Sequence, residues 1–424
     1  MQPLDRSDRR WTLPPAFSLV AKCSCRPLTP AGSEQIRALA LGVDWEGVLR
    51  VVRRQRVAGL VHGALSAAGV SPPPPVGAEL EAMVQAIARQ NLRSVAEARR
   101  LQARFDEAGV PVAFLKGLCL GRLAYGSLQV KHARDIDILV PPALAESAWA
   151  ILEGEGYGLA GKGRRSLGPQ RRGAVVRYLG EVEMACRSRT VLLDLHWRLA
   201  ENPALLRGDV WASAKTVDLG GGARLRTLGD EDHFAYLCVH GAHHAWMRLK
   251  WLADLHAFVG RDGAPDLLQL HAYARARGAG LCAGQALLLC RHLLGLQLPA
   301  ELEAELKADR RIRLLTRIAL EAMVGRDGAT ELPDRPFGGA LAYIIYLSQW
   351  LLGRSAAFYG AQLWAFSLVP ADVIACPLPW WAQGLYPLLR LPLWLGRVGK
   401  RFLQRARPGP APGPRDPFGK ATTR

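Results

Sequence analysis

Residues 114–141, FLKGLCLGRLAYGSLQVKHARDIDILVP, decide the fold. Asp135 and Asp137 alternate with Ile136 and Ile138 and run on into Leu139 and Val140, so a β-strand here turns both carboxylates to one face. Two carboxylates held on one strand make a site for hard cations. Mg²⁺ prefers oxygen ligands and commonly shares them with phosphate oxygens, which points to a nucleotide. Upstream, Val112 to Leu115 reads as a first strand ending at Lys116-Gly117, and Leu118 to Tyr125 reads as a short helix. A strand, turn and helix start presents backbone N–H groups to an anion; Gly117 permits close approach and Lys116 adds a point charge.

A third acid lies in TVLLDLHW, Thr190 to Trp197, where Asp194 sits in a β-favouring apolar run suited to a neighbouring strand. The ordered set Lys116-Gly117, Asp135, Asp137, Asp194 resembles the nucleotidyltransferase superfamily that includes DNA polymerase beta. More narrowly, it is similar to an uncharacterised bacterial nucleotidyltransferase family in which Lys-Gly replaces the usual Gly-Ser. Tyr125, Arg134, His196, Trp197 and the segment HGAHHAWMRLKWLADLHAFV (His240 to Val259) extend the resemblance, which covers roughly residues 30 to 300. Leu118 departs from the Gly or Ser expected after the first turn residue.

The resemblance implies a metal-dependent nucleotidyltransferase (EC 2.7.7 type) that moves an NMP from an NTP to a hydroxyl acceptor by a two-metal mechanism. Asp135, Asp137 and Asp194 are then the catalytic acids and metal ligands, for two Mg²⁺ ions with Mn²⁺ as an alternative. Lys116, Gly117 and Arg134 face the nucleotide. His196, His240, Arg248 and Asp254 are candidate substrate-binding residues, with Trp251 beside them. Helical flanks resembling a closed cleft favour a small-molecule or protein acceptor over nucleic acid. His240, His243 and His244 stand a helical turn apart, but no glutamate lies inside the His-Gly-Ala-His-His run, so a zinc-protease pattern is absent.

Composition bounds the rest. The 424 residues suffice for two or three domains, and half are apolar. Lys and Arg total 55 against 37 Asp and Glu, a formal charge of +18 that suits anionic partners, although an Ala-, Gly- and Arg-rich composition produces the same excess. Cys23, Cys25, Cys119, Cys186, Cys238, Cys282, Cys290 and Cys376 form no Cys-x-x-Cys pair and read as reduced thiols of a cytoplasmic protein. The N-terminus lacks an apolar signal core, and no apolar stretch reaches spanning length.

The expected architecture is α+β: a small mixed sheet flanked by helical regions. Its divisions are an irregular N-terminus (1–30), a helical cap (31–106), a nucleotidyltransferase core (107–226), a helical domain (227–334), an apolar Trp/Pro-rich segment (335–407) and a disordered tail (408–424). Within the core, Ala143 to Gly154 suits a helix, Ala174 to Cys186 a strand, and the basic, glycine-rich 161–173 a mobile loop. PLPWWAQGLYPLLRLPLW, Pro377 to Trp394, followed by Arg397, Lys400, Arg401, Arg405 and Arg407, suits either packing on the globular body or peripheral contact with an anionic membrane. Two further classes stay open: a nucleotide-binding regulator without turnover, against which the intact acids argue, and a membrane-surface accessory protein.

Overall fold

The computed structural model describes residues 12–160, 167–186, 188–189, 191–331, 340–367 and, in pieces, 372–396. Five helices come first: α1 (Pro15–Cys23), α2 (Pro30–Ala40), α3 (Trp45–Gln55), α4 (Ala58–Ala67) and the long α5 (Pro74–Glu107). α1 falls in the stretch expected to be irregular. Pro15 opens it at a position where the missing N–H costs nothing, and Phe17, Leu19, Val20 and Cys23 bury against later helices.

The mixed sheet follows: β1 (Ala113–Phe114), α6 (Gly117–Tyr125), β2 (Asp135–Leu139), α7 (Ala145–Gly154), β3 (Tyr157–Leu159), α8 (Pro169–Tyr178), β4 (Glu181–Cys186) and β5 (Leu192–His196). Its spatial order is β1-β2-β5-β4-β3, with β2 and β5 parallel and the other pairs antiparallel. The chain is therefore α+β, as expected. One boundary differs: the strand expected from Ala174 starts only at Glu181, because Gly168-Pro169 opens a helix that carries the chain to Tyr178. Of the basic loop, residues 161–166 lie outside the described residues and Pro169 onward belongs to α8. A hairpin, β6 (Lys215–Gly220) and β7 (Ala223–Thr227), packs beside β1 and α6.

The remaining helices are α9 (Asp230–His243), α10 (Leu249–Val259), α11 (Leu267–Ala276), α12 (Gly280–Leu289), α13 (Ala300–Ala308), α14 (Arg310–Val324), α15 (Ala340–Ser348) and α16 (Ala356–Ser367). Asp230, Glu231 and Asp232 occupy the first turn of α9, where carboxylates complement the helix dipole. Two apolar cores hold these parts. One lies behind the sheet, where Ile136, Ile138, Val182, Met184, Leu193 and Leu195 meet Trp149 and the α5 residues Leu101 and Phe105. The other joins α1, α3 and α4 to α9, α10, α12 and Phe358.

The period-2 pattern thus sends apolar side chains of β2, β4 and β5 backward and leaves their polar partners on the front face, under the helices. α4 presses on the loop that leads into β2: a Cβ added at Gly59 would fall 2.3 Å from the Val130 carbonyl oxygen. From the C-terminal segment, Gln362 and the Phe358 carbonyl accept hydrogen bonds from buried Asn202 at 2.7 and 3.1 Å. Among the described residues no helix is long and apolar enough to cross a membrane. The tail at 408–424 lies outside the described residues.

Candidate active site

The parallel pairing of β2 with β5 sets Asp137 directly beside Asp194 and Leu139 beside His196. On the far side of β5, the antiparallel β4 sets Glu181 opposite His196 and Glu183 opposite Asp194. Paired positions share a face, so Asp135, Asp137, Asp194, His196 and Glu181 all rise from the front of the sheet. Lys116 and Gly117 join them from the turn between β1 and α6. Gly117 has φ of +55°, a left-handed conformation that lets the chain turn into α6 beside the Asp135 carbonyl.

These residues line a cavity of about 330 Å³. One wall is basic: Arg56 at the end of α3, Lys131 before β2 and Lys250 on α10, with His132 among them kept neutral by burial and these cations. Another is aromatic: the His244 and Trp251 rings stack at 4.9 Å and 16°, with His240 edge-on to Trp251 at 5.7 Å. Asn202, Gln349, Leu352 and Gln362 also line the cavity.

Charge is concentrated at the acids. Lys116 Nζ lies 2.7 Å from Asp137 Oδ1 and His196 Nε2 lies 3.4 Å from the same oxygen, while His196 Nδ1 sits 2.8 Å from Glu181 Oε2. Burial alone would raise the Asp137 pKa, but Lys116 and His196 outweigh it and hold the carboxyl well below the usual range. Asp194 goes the other way: burial, then the charges of Asp137 and Asp135, push it far above that range. Burial would lower His196, yet Asp137 and Glu181 bring it up to about 9. Lys116 is likewise kept charged by Asp137, Tyr236 and Asp135 against the cost of burial. For Lys250 the balance is reversed: burial, then Lys131 beside it, outweigh Asp135 and Asp254 and lower it to about 7.

These shifts give the metal-free protein a pH dependence. His196 is raised above its ordinary value of 6.5, so its contribution to stability is complete below that pH and disappears as pH rises through about 9. Asp194, also raised, acts with the same sign. The denaturation midpoint in chelator is expected to fall across this window, and His196→Gln to flatten the fall. An unchanged slope in the variant would remove His196 as its source.

The pattern of buried atoms bears on a metal. Asp137 Oδ1, Asp194 Oδ1 and His196 Nε2 are fully buried yet have no aligned hydrogen-bond partner. Ligand atoms of the same three residues lie within 4.8 Å of one another. Asp137 Oδ1 and His196 Nε2 are held only by ion-pair contacts and Asp194 Oδ1 has no hydrogen-bond partner, and a cation among the three donors would satisfy them together. The donor set therefore fits a divalent ion. Asp135, on the same strand face, lines the cavity outside this compact set.

A match to the family described as uncharacterised nucleotidyltransferases covers residues 42–295, more than half of the chain. The chain belongs to that family. Comparison with curated proteins finds no match. The family stretch carries the whole acid cluster, Lys116-Gly117 and most of the cationic and aromatic walls.

Other residues singled out in the sequence fall as follows. His240 lines the cavity, and burial, then the charge of Lys116, keep its imidazole neutral. Asp254 lines it too, but its oxygens are engaged by Tyr125 Oη at 2.9 Å and by Lys131. Arg134 and Arg248 do not line it, and Arg248 bonds the Arg54 carbonyl and Glu331. Sequence reasoning missed Glu181, Arg56, Lys131 and Lys250. The alternation Glu181-Val182-Glu183-Met184 was the available signal for Glu181; the cations carried none, since single basic residues on helices ordinarily face solvent.

Proposed function

We propose that this protein moves an NMP from a nucleoside triphosphate to a hydroxyl acceptor with the help of two divalent ions, Mg²⁺ for the nucleotide. The observation that carries the proposal is the convergence of Asp135, Asp137 and Asp194 from two parallel strands on one cavity that also has a cationic wall. Asp135 and Asp137 hold the nucleotide ion, and Asp137 and Asp194 the acceptor-side ion. Bound there, the ions supply charge neutralisation at the phosphates and lower the pKa of the acceptor hydroxyl. The acceptor oxygen bonds to the α-phosphorus, the bond to the β-phosphate oxygen breaks, pyrophosphate leaves and the acceptor proton passes to water.

The chain's own part is positioning and charge. With a divalent ion held by the acids, Lys116 would be free to meet the phosphates, and Arg56, Lys131 and Lys250 would steady the outer phosphates. Among the described residues neither the Arg56 nor the Lys250 side chain forms a hydrogen bond or a carboxylate ion pair, so Arg56 offers a charge to a ligand, while Lys250, lowered to about 7 and 5.6 Å from the Trp251 ring, offers an amine that a nearby phosphate would hold protonated. Trp251 and His244 offer a flat surface to a base or an acceptor ring. Small-molecule sites span about 300 to 1,000 Å³, so this cavity, at about 330 Å³, favours a small acceptor or a single protein side chain over a nucleic-acid track.

The test is binding of each of the four ribonucleoside triphosphates, with and without Mg²⁺, to wild type, Asp135→Asn and Lys116→Ala. Metal-dependent binding should vanish in Asp135→Asn. Lys116→Ala should weaken triphosphate binding by about tenfold, the worth of one charge-assisted hydrogen bond, and leave acceptor binding nearly unchanged. An effect confined to the acceptor would move Lys116 out of the phosphate role. No binding to any of the proteins would leave a degenerate transferase fold, with the C-terminal segment as the place to look for its function.

A second proposal concerns location. Tyr343, Ile344, Leu347, Leu363, Trp364, Trp381 and Leu388 are large apolar side chains exposed in one C-terminal stretch. Such an accumulation favours peripheral contact of a cytoplasmic protein with an anionic membrane. Flotation with anionic vesicles should fail for a Trp364→Ser, Trp381→Ser, Leu388→Ser variant; equal flotation of variant and wild type would sink the idea.

A further inference from the structure

The acid cluster differs from an all-carboxylate metal site in one respect. Its third member is an imidazole, and that imidazole is held from behind. His196 is 5 % exposed, its Nδ1 lies 2.8 Å from Glu181 Oε2, and its Nε2 lies 3.4 Å from Asp137 Oδ1, in a set whose ligand atoms, with those of Asp194, fall within 4.8 Å of one another. A histidine whose far nitrogen is engaged by a carboxylate, and whose near nitrogen faces two further carboxylates, has the arrangement that metal-ligating histidines adopt. The strand register builds it: Glu181 pairs with His196 across β4 and β5, and Asp137 pairs with Asp194 across β2 and β5. Nothing in that arrangement requires a nucleotide to be present.

We infer that His196 Nε2 is a direct ligand of the acceptor-side ion, together with Asp137 and Asp194, that Glu181 is its positioning residue, and that this ion is a first-row transition metal rather than Mg²⁺, with Mn²⁺ as its paramagnetic probe. Mg²⁺ takes oxygen ligands in near-ideal octahedra and is poorly served by imidazole, whereas affinity at a mixed nitrogen and oxygen site rises along the first transition row. An ion there also supplies the positive charge that Lys116 Nζ provides to Asp137 Oδ1 at 2.7 Å, which frees the ammonium. The inference rests on the metal-dependent cleft proposed above and adds which nitrogen meets the ion and which class of metal follows from it.

The experiment is Mn²⁺ titration of the full chain, read by pulsed EPR for ¹⁴N coupling and by competition with Mg²⁺, in wild type, His196→Gln and Glu181→Gln. Wild type should show coupling from one imidazole nitrogen and prefer Mn²⁺ over Mg²⁺ by at least about tenfold. His196→Gln should lose the coupling and most of the preference. Glu181→Gln should keep the coupling while Mn²⁺ affinity falls about 10 to 100-fold, the usual effect of removing such a partner. Mn²⁺ bound by wild type without nitrogen coupling overturns the inference, with no variant needed. So does coupling that survives His196→Gln, since His240, His243 or His244 would then be its source. The two readings separate cleanly: imidazole-bound Mn²⁺ in a protein that binds no triphosphate upholds this inference and ends the transferase proposal, while Mg²⁺-dependent transfer without nitrogen coupling does the reverse.

Discussion

Asp137→Asn is expected to remove divalent-ion binding and to lower any metal-dependent turnover by about 10³-fold or more, the scale of several kcal/mol that a metal supplies to a charged transition state. Of the front-face acids, Asp137 is the one that touches every other component: Lys116 at 2.7 Å, His196 at 3.4 Å and, across the register, Asp194. Asparagine keeps its shape and removes its charge. Lys116 and His196 would lose the carboxylate they share, but Glu181 still faces His196 and Asp135 still acts on Lys116, and His196 can relieve the remaining imbalance by releasing its proton. The variant should therefore keep its far-UV circular dichroism while Mn²⁺ titration shows no saturable site. Turnover equal to wild type would remove Asp137 from the metal and, with it, the two-ion mechanism.

Asp254→Ala has the second large effect, and it falls on stability. Asp254 accepts a hydrogen bond from Tyr125 Oη and pairs with Lys131, and the side chains of Lys131 and Asp254 are only 9 and 5 % exposed. Deleting one partner of a buried ion pair strands the other, at a cost of about 3 to 5 kcal/mol. The pair also ties α10 to α6 and to the loop before β2, so its loss should loosen the approach to Asp135. Equilibrium denaturation checks the magnitude, and Lys131→Met with Asp254→Leu should recover much of it, since no buried charge remains unpaired. Unaltered stability in Asp254→Ala, with weakened ligand binding instead, would return Asp254 to a substrate role.

The acids were legible because strand periodicity is local: Asp135 and Asp137 two apart, with Ile136 and Ile138 between and beyond them, specify a face without knowledge of what lies opposite. Asp194 and His196 were legible for the same reason, and the parallel pairing of β2 with β5 aligns them with the first pair. Glu181 was lost through a boundary. Ala174-Val175-Val176 suits a strand as well as a helix, and the Gly168-Pro169 start together with the burial of Ala174 and Val175 within α8 decides for the helix. The cationic wall was beyond sequence reasoning in another way. Arg56 and Lys250 stand on helices far apart in the chain, and the apolar contacts that bring α3, α4, α9 and α10 together fix their convergence.

The make-up of the cavity wall has a further consequence. The family stretch ends at residue 295, whereas Gln349, Leu352 and Gln362, which also line the cavity, come from beyond it. Substitutions at these three positions would alter the shape of the chamber without touching Asp135, Asp137, Asp194 or His196, so what the chamber admits and the acid cluster it contains are set by separate stretches of chain.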